Sequence, residues 1–109
     1  METPQSRAPA QPRIPLDRER IAAFCRKWNL VEFALFGSVL RDDFRPDSDV
    51  DVLIKFAPDF KEDGGELLAM HEELVNMFGR DVDIVQMKSL TNPFRRHHIL
   101  TTRQIIYAA

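Results

Sequence analysis

Cysteine, net charge and long apolar runs are all scarce in this chain of 109 residues. The single cysteine, Cys25, excludes an internal disulfide framework and fits a reducing compartment, and we expect it to be a small buried hydrophobe in a helix. A formal net charge of −2 gives no general reason to expect a nucleic-acid or membrane partner. No apolar stretch approaches the roughly 20 residues of a membrane-spanning helix. We therefore expect a cytoplasmic protein with no membrane partner and no direct nucleic-acid partner.

The first fifteen residues differ in composition from the rest of the chain. They contain four prolines, two arginines and two glutamines, and nothing in them resembles the apolar centre of a secretory signal. Such a segment buries little apolar surface to offset the conformational entropy that folding removes. We predict a disordered N-terminal tail over 1–15 and one compact domain over 16–109.

Helical and strand patterns alternate through the predicted domain. Apolar residues recur at i, i+3, i+4 and i+7 from Ile21, which predicts a first helix that ends near Asn29. Asp17 is the predicted N-cap of this helix. The further elements are predicted as strands over 31–36, 50–56 and 82–86 and helices over 66–78 and 93–101, with 104–107 either a short strand or the end of the last helix. This order predicts an α/β (α+β) fold, with a small mixed sheet of three to four strands and helices packed on one face.

The most informative segment joins the first two predicted strands. Gly37 and Ser38 follow an apolar strand, and a glycine there permits a tight turn that aims backbone N–H groups at an anion. After ten further residues, Asp49 and Asp51 alternate with valines at the start of the next strand, so both carboxylates project from one face. Carboxylates are hard oxygen ligands of the kind that Mg²⁺ prefers, and two neighbouring like charges are costly without cations. The segment therefore predicts a site for a nucleoside triphosphate with magnesium.

A third carboxylate is expected from the strand over 82–86. Asp81 and Asp83 both precede an apolar pair, and side-chain alternation sends both to one face. Asp83 lies deeper in the strand, where an unpartnered acid is costly to bury, so we favour it as a metal ligand or as the general base. Asp81 is interpreted as a solvated turn residue.

Two basic features admit more than one interpretation. Arg41, one turn after Ser38, is predicted either to contact the nucleotide phosphates or an incoming substrate, or to pair with Asp42 or Asp43. The run Arg-Arg-His-His over 95–98 is interpreted as a solvated or partner-facing helix surface. Adjacent histidines on a helix point about 100° apart and make a poor pair of metal ligands.

Together these residues carry a family resemblance. A Gly-Ser pair at 37–38, ten residues, an Asp-Val-Asp run at 49–51 and a later Asp83 resemble the signature of the polymerase-beta-like nucleotidyltransferase superfamily. The fuller string over 37–53 and the small size are similar to its minimal nucleotidyltransferases (MNT proteins), which act as antitoxins in HEPN/MNT toxin–antitoxin pairs. The resemblance extends from about Asp17 to Tyr107.

The resemblance implies an activity and a role for each matching residue. Gly37 and Ser38 are implied to hold the triphosphate of ATP. Asp49 and Asp51 are implied to bind two Mg²⁺ ions. Asp83 is implied to complete that metal site and to activate the acceptor. The implied reaction transfers AMP from ATP to a tyrosine hydroxyl of a cognate HEPN ribonuclease toxin, which inactivates the toxin.

The sequence departs from many of these relatives at two places. Leu40-Arg41-Asp42 follows the Gly-Ser turn where relatives have Ala-Arg-Gly, and Asp81 stands where many carry a basic residue. The first difference bears on access of the nucleotide or acceptor, and the second adds negative charge near the metals. Two other functions stay open. One is a non-catalytic antitoxin that neutralises its partner by binding and occlusion. The other is transfer to a small molecule, which aminoglycoside-modifying relatives bind with an additional domain.

Overall fold

A computed structural model describes residues 12–109 of the chain. In chain order its helices and strands are α1 (Arg18–Lys27), β1 (Leu30–Phe36), β2 (Val50–Phe56), α2 (Glu66–Phe78), β3 (Val82–Gln86), α3 (Pro93–Thr102) and β4 (Gln104–Ala108). Two short 3₁₀ turns span Gly37–Leu40 and Met87–Ser89. The last segment, which the sequence left open between strand and helix, is therefore a strand. None of the helices within 12–109 combines the length and hydropathy that a membrane crossing requires.

The four strands form one mixed sheet in the order β3-β2-β1-β4. β1 pairs antiparallel with both β2 and β4, whereas β2 and β3 pair in parallel and are connected through α2. The antiparallel register places Phe36 opposite Asp51, and the parallel register places Asp51 opposite Asp83. The end of β1 therefore meets the beginnings of β2 and β3. The predicted α+β fold with a small mixed sheet is confirmed.

One face of the sheet packs against α1 and α2. Phe33 and Val52 from the two central strands are fully buried there in a core that includes Phe24 of α1 and Leu74 of α2. Cys25 is a free thiol in the same core, and burial raises its pKa to about 12. The thiol is therefore neutral and inert at physiological pH.

The opposite face packs against α3, which corrects the expectation that all helices lie on one face. Ile99 of α3 is buried in a second core with Phe36 of β1 and Leu53 of β2. β1 and β2 are largely apolar at both alternating positions, so each face of these strands needs cover from a helix. Asp51 precedes Leu53 by two residues and projects from the same face, so α3 covers the face that carries this carboxylate.

Capping residues begin or end the helices where the sequence predicts. Asp17 caps α1 by accepting a hydrogen bond from the Arg20 backbone N–H at 3.1 Å. Asn92 caps α3 in the same way, through two backbone N–H groups of its first turn. Gly79 ends α2 in the left-handed conformation (φ 72°), which a glycine adopts without a steric penalty from a side chain.

The described chain begins inside the predicted N-terminal tail. Ile14 is buried in the core on the α1 side of the sheet. The Arg13 backbone N–H donates to the Val39 carbonyl at 2.8 Å. The packed domain therefore includes residues that the sequence analysis assigned to the tail. The prediction for 1–11 lies outside the described residues.

Replacing Ile99 by alanine should destabilise the fold by about 2–5 kcal/mol, because it leaves a cavity between α3 and the sheet. Leu68→Ala is the matched control, since Leu68 is 68% exposed on α2 and its truncation should change stability by no more than about 0.5 kcal/mol. Urea unfolding followed by circular dichroism measures both variants. Equal stabilities of the two would contradict the packing of α3 against the sheet.

Candidate active site

The site begins at the turn that ends β1. Gly37 has a φ of 77°, a left-handed conformation that favours glycine, and it opens the 3₁₀ turn Gly37–Leu40. The first backbone N–H groups of such a turn have no partner inside it. The turn closes where the Arg41 N–H donates to the Ser38 carbonyl at 2.9 Å. The predicted Gly-Ser turn is therefore present, directly after β1.

The Asp51 carboxylate packs over Gly37. A Cβ atom at position 37 would clash with Asp51 Oδ2 and would lie 3.2 Å from Asp51 Cγ. Any larger residue there would displace Asp51. The contact follows from the sheet register, because Phe36 ends β1 opposite Asp51 near the start of β2. The Gly37 turn and the Asp51 carboxylate, which the sequence assigns to one site, are therefore in contact.

Asp83 adjoins Asp51 on the neighbouring strand. The two residues are paired in the parallel register of β2 and β3, so their side chains project from the same face. Asp49 precedes β2 directly, and the charges of both Asp49 and Asp83 act on Asp51. The structure thus brings Asp51 and Asp83 side by side, whereas Asp49 lies just before β2, within electrostatic reach of Asp51 but outside the strand alternation that the sequence invoked.

The surroundings of Asp51 oppose its negative charge. Partial burial raises its pKa above the ordinary aspartate value, and the negative charges of Asp83 and Asp49 raise it further. The positive charges of Arg41 and Arg95 act in the other direction. The sequence pattern favours Asp83 as the acid that is costly to bury, but Asp83 is exposed and Asp51 is half-buried. The reason is that β3 is an edge strand whereas β2 lies between two neighbours.

Asp81 lies outside the strand that carries Asp83. It is exposed and lines a surface depression with His71 and Asn76 of α2. Its backbone carbonyl accepts a hydrogen bond from the Val50 N–H at 2.9 Å. Because β3 begins only at the next residue, strand alternation gives no basis for placing Asp81 on the same face as Asp83.

Arg41 lies near the site and is engaged in an ion pair. Its Nε donates to Asp43 Oδ1 at 3.0 Å, and both side chains are exposed. Asp42 pairs instead with Arg13. An exposed ion pair contributes little stability, so a bound phosphate can replace Asp43 as the partner of Arg41 at small cost. The pairing with Asp43 is thus one of the two alternatives that the sequence left open, and the phosphate contact remains a proposal.

Arg80 holds the connector before Asp49, and the sequence analysis did not single it out. Its guanidinium donates to the backbone carbonyls of Arg45 at 3.1 Å and Ser48 at 3.3 Å. It also lies 4.6 Å from the centre of the Phe44 ring. These contacts tie the segment before β2 to the segment before β3. They span 32 and 35 residues, so no local pattern could have predicted them.

Arg95, in the first turn of α3, carries a positive charge that acts on Asp51. It lies one helical turn before Ile99, which is buried with Leu53, and its charge lowers the pKa of Asp51. The sequence analysis interpreted this part of α3 as a solvated or partner-facing surface. Arg95 and Ile99 are four residues apart in the sequence, which places them one turn apart on a helix. The sequence does not show which face of the sheet this helix covers.

The donor set fits magnesium that arrives with a nucleotide. Among residues 12–109, no three histidine, cysteine, aspartate or glutamate side chains gather as a group that could hold a metal ion. Mg²⁺ commonly takes one or two carboxylates from a protein and completes its shell with water and substrate phosphates. Asp51 and Asp83 on adjacent strands, with Asp49 in electrostatic reach, are a partial set of this kind.

The sequence is similar to those of known proteins. The sequence model of the nucleotidyltransferase domain matches residues 18–106. The chain belongs to this nucleotidyltransferase family. A relative from Methanocaldococcus jannaschii, named "putative protein adenylyltransferase", is 32% identical over 73 residues, which make up 67% of this chain and 73% of the relative.

Solved structures share the fold of this nucleotidyltransferase. A structure described as a "putative minimal nucleotidyltransferase" matches with a TM-score of 0.65 and 29% identity, over 79% of this chain and 85% of that one. A chain in a structure of tri-AMPylated Shewanella oneidensis HEPN toxin in complex with MNT antitoxin matches with a TM-score of 0.61 and 20% identity, over 84% and 70%. The resemblance to minimal nucleotidyltransferases is confirmed, and so is the prediction of a nucleotidyltransferase enzyme.

Replacing Gly37 by alanine should weaken metal binding, whereas the same change at Gly79 should not. Both glycines have positive φ, 77° and 72°, so alanine should cost about 1–2 kcal/mol of backbone strain at either position. Only at Gly37 would the new Cβ meet Asp51, because nothing lies within 4 Å of such an atom at Gly79. Thermal unfolding and Mn²⁺ titration measure the two effects separately. Equal metal affinity in the two variants would show that the Gly37–Asp51 contact does not shape the site.

Asp51→Asn should make the ligand-free nucleotidyltransferase more stable at neutral pH. A carboxylate whose pKa is raised in the folded state destabilises that state once ionised, so stability falls as pH rises above the ordinary aspartate pKa of 3.8. Asparagine has a similar shape and no charge. The gain should be present at neutral pH and should vanish well below pH 3.8, where Asp51 is protonated in both the folded and the unfolded state.

Urea unfolding at neutral and acidic pH checks this prediction, with Asp59→Asn in the exposed loop after β2 as the control for loss of one carboxylate. Saturating Mg²⁺ and nucleotide should reverse the order, because a ligand bound only to the folded wild type stabilises it. If Asp51→Asn were less stable than the wild type at neutral pH, the ionised Asp51 carboxylate would stabilise the fold by more than the charge repulsion destabilises it.

Proposed function

We propose that this nucleotidyltransferase transfers AMP from ATP to a tyrosine hydroxyl of a cognate HEPN-domain toxin in the cytoplasm and thereby inactivates the toxin. Mg²⁺ is the proposed cofactor. The Methanocaldococcus jannaschii relative is named for protein adenylylation, and the fold recurs in a complex of an MNT antitoxin with an AMPylated HEPN toxin. These comparisons favour the partner and the transferred group.

The contact between the Gly-Ser turn and the carboxylates carries the proposal. The turn after β1 presents backbone N–H groups, and Asp51 packs directly over Gly37. Asp83 lies beside Asp51 in the parallel register. A triphosphate bound by the turn would therefore reach the carboxylates, and a metal-bound nucleotide satisfies both the N–H donors and the negative charges.

Each group acts on a different part of the nucleotide. The backbone N–H groups of Gly37 and Ser38 bind phosphate oxygens, and Arg41 exchanges Asp43 for the same phosphates. Asp49, Asp51 and Asp83 would hold two Mg²⁺ ions, which offset the charge that develops on the phosphoryl oxygens during attack. The absence of a side chain at Gly37 lets the Asp51 carboxylate lie against the turn that would bind the phosphates.

Asp83 is the proposed general base. The tyrosine oxygen attacks the α-phosphorus while its proton passes to the Asp83 carboxylate. The bond from the α-phosphorus to the bridging oxygen breaks, and pyrophosphate leaves on the opposite side. The product joins AMP to the tyrosine oxygen through a phosphodiester, so no oxidant or further reactant is needed. Asp83 is exposed on the edge strand, where an acceptor from another protein can reach it.

The open form of the site favours a macromolecular acceptor. Asp49 and Asp83 are both exposed. Phe94, in the first turn of α3 and adjacent to Arg95, has 84% of its surface exposed. Small-molecule sites usually enclose most of the ligand, whereas exposed aromatic residues commonly contact protein partners. An acceptor tyrosine on a protein surface suits this arrangement better than a small molecule does.

The test is intact-protein mass spectrometry of a cognate HEPN-domain protein after incubation with this nucleotidyltransferase, ATP and Mg²⁺. The proposal predicts mass increments of one or more AMP units, and fragmentation should assign them to tyrosine. Asp49→Asn combined with Asp51→Asn should lower the transfer rate at least about a hundredfold, because the Mg²⁺-bound nucleotide loses two of its three carboxylates. EDTA should have the same effect.

The control combines Asp59→Asn with Glu72→Gln, which removes the same number of charges at exposed positions away from the carboxylates. This variant should transfer AMP at the wild-type rate. If the wild type forms a stable complex and silences the toxin without any AMP increment, neutralisation by occlusion replaces the proposed reaction. Unchanged transfer by the aspartate double variant would exclude the metal assignment.

A further inference from the structure

A cavity of about 390 Å³ lies where β2 and β3 end, away from the carboxylates at the beginnings of these strands. Ile54 and Gln86 border the cavity and pair with each other in the parallel register. Asp51 and Asp83 pair three residues earlier, about 10 Å away along the strands. The cavity is therefore separate from the candidate active site, and its volume is in the range usual for small-molecule sites.

The apolar part of the cavity wall is formed by two stacked rings and a methionine. Phe56, the last residue of β2, and Phe60, in the loop that follows, stack with their ring centres 4.6 Å apart and their planes 11° apart. Both rings line the cavity and are partly exposed. Met87, directly after β3, also lines it, and a methionine side chain adapts to rings of different shape. This wall offers apolar surface to a ring or a short chain.

Glu62 holds the loop after β2 against the end of β3. Its Oε1 accepts from Gln86 Nε2 at 3.2 Å, and its Oε2 accepts from Lys88 Nζ at 2.6 Å. Together with the stacking of Phe60 on Phe56, these bonds fix the loop across the ends of both strands. The cavity is therefore held in shape by side-chain contacts, and the one acid in its wall is already paired.

The remaining charge in the cavity wall is positive. Lys55, Lys88 and Arg96 line the cavity, and Glu62 is the one acid among them, which leaves an excess of two positive charges. Among residues 12–109, neither Lys55 nor Arg96 forms a salt bridge. The partly buried Arg96 donates through Nη1 to the Met87 carbonyl at 3.1 Å, and a guanidinium has five N–H groups. Arg96 thus has donors to spare for an anionic group.

We propose that this cavity binds a small organic anion, with an apolar or aromatic body against the stacked rings and an anionic group at Arg96 and Lys55. An uncharged apolar ligand would leave the two cations without a partner, and an inorganic anion would leave the apolar wall uncovered. The inference does not depend on the proposed AMP transfer, because no residue of this cavity is assigned to the nucleotide, the metal or the acceptor.

Fluorescence titration with two dyes of similar aromatic body tests the inference. Anilinonaphthalene sulfonate carries an anionic group, whereas phenylnaphthylamine is uncharged. The wild type should bind the sulfonate at one saturable site. Arg96→Gln should weaken sulfonate binding about tenfold, because a charge-assisted hydrogen bond is lost, and should change naphthylamine binding less than about twofold. Lys55→Gln, at an exposed position, should weaken sulfonate binding about twofold to fivefold.

The apolar wall is tested by Phe60→Ala, which should weaken the binding of both dyes by up to about tenfold. Phe94→Ala and Arg18→Gln are the matched controls. Phe94 is 84% exposed on α3, Arg18 is exposed on α1, and neither lines the cavity. Both controls should bind the two dyes as the wild type does. Thermal unfolding should show that every variant is folded.

The inference is overturned if the wild type shows no saturable sulfonate binding, or if Arg96→Gln and Lys55→Gln both bind the sulfonate as tightly as Arg18→Gln does. Equal losses of both dyes in Arg96→Gln would also overturn it, because the cavity would then not select for charge. Displacement of the sulfonate by Mg²⁺ with a non-hydrolysable ATP analogue would place the dye at the candidate active site instead. A wild type that binds the sulfonate as described but transfers no AMP would support this inference and overturn only the proposed function.

Discussion

The contact between the Asp51 carboxylate and Gly37 is the constraint on which the site depends. It exists because β1 ends opposite the beginning of β2, and because a residue without a side chain occupies the first position after β1. The same register that sets this contact places Asp83 beside Asp51 through β3. Strand pairing therefore brings the backbone N–H groups proposed to bind phosphate together with Asp51 and Asp83, two of the carboxylates proposed to bind metal.

This arrangement opposes the stability of the ligand-free protein. Asp51 is half-buried beside two other carboxylates, and each of these features favours its neutral form. The fold tolerates the cost because Val50, Val52 and Leu53 on the same strand are fully buried in cores on both faces of the sheet. A strand anchored on both sides can hold a carboxylate in an unfavourable position, and the proposed metal and nucleotide would supply the missing positive charge.

Sequence patterns predicted the elements well because their signals are local. Asp17 marks the start of α1, Gly79 marks the end of α2, and β2 begins and ends at the predicted residues. The selection of Asp49, Asp51 and Asp83 depended on strand alternation, which needs only a few neighbouring residues. The burial of these acids was predicted less well. Asp83 was expected to be the buried one, but exposure depends on strand order, and β3 lies at the edge of the sheet.

The sequence by itself determined the alternation of helices and strands, the glycine that the turn at position 37 requires, and the spacing from that turn to the carboxylates. Only the tertiary structure decided that α3 covers the face opposite α1 and α2, that Arg80 holds the connector before β2, and that Asp51 rather than Asp83 is half-buried. The physical reason is range. Turns, caps and alternation arise from interactions among residues close in the chain, whereas the face that a helix covers depends on apolar surfaces contributed by several distant elements, which the pattern of any one segment does not contain.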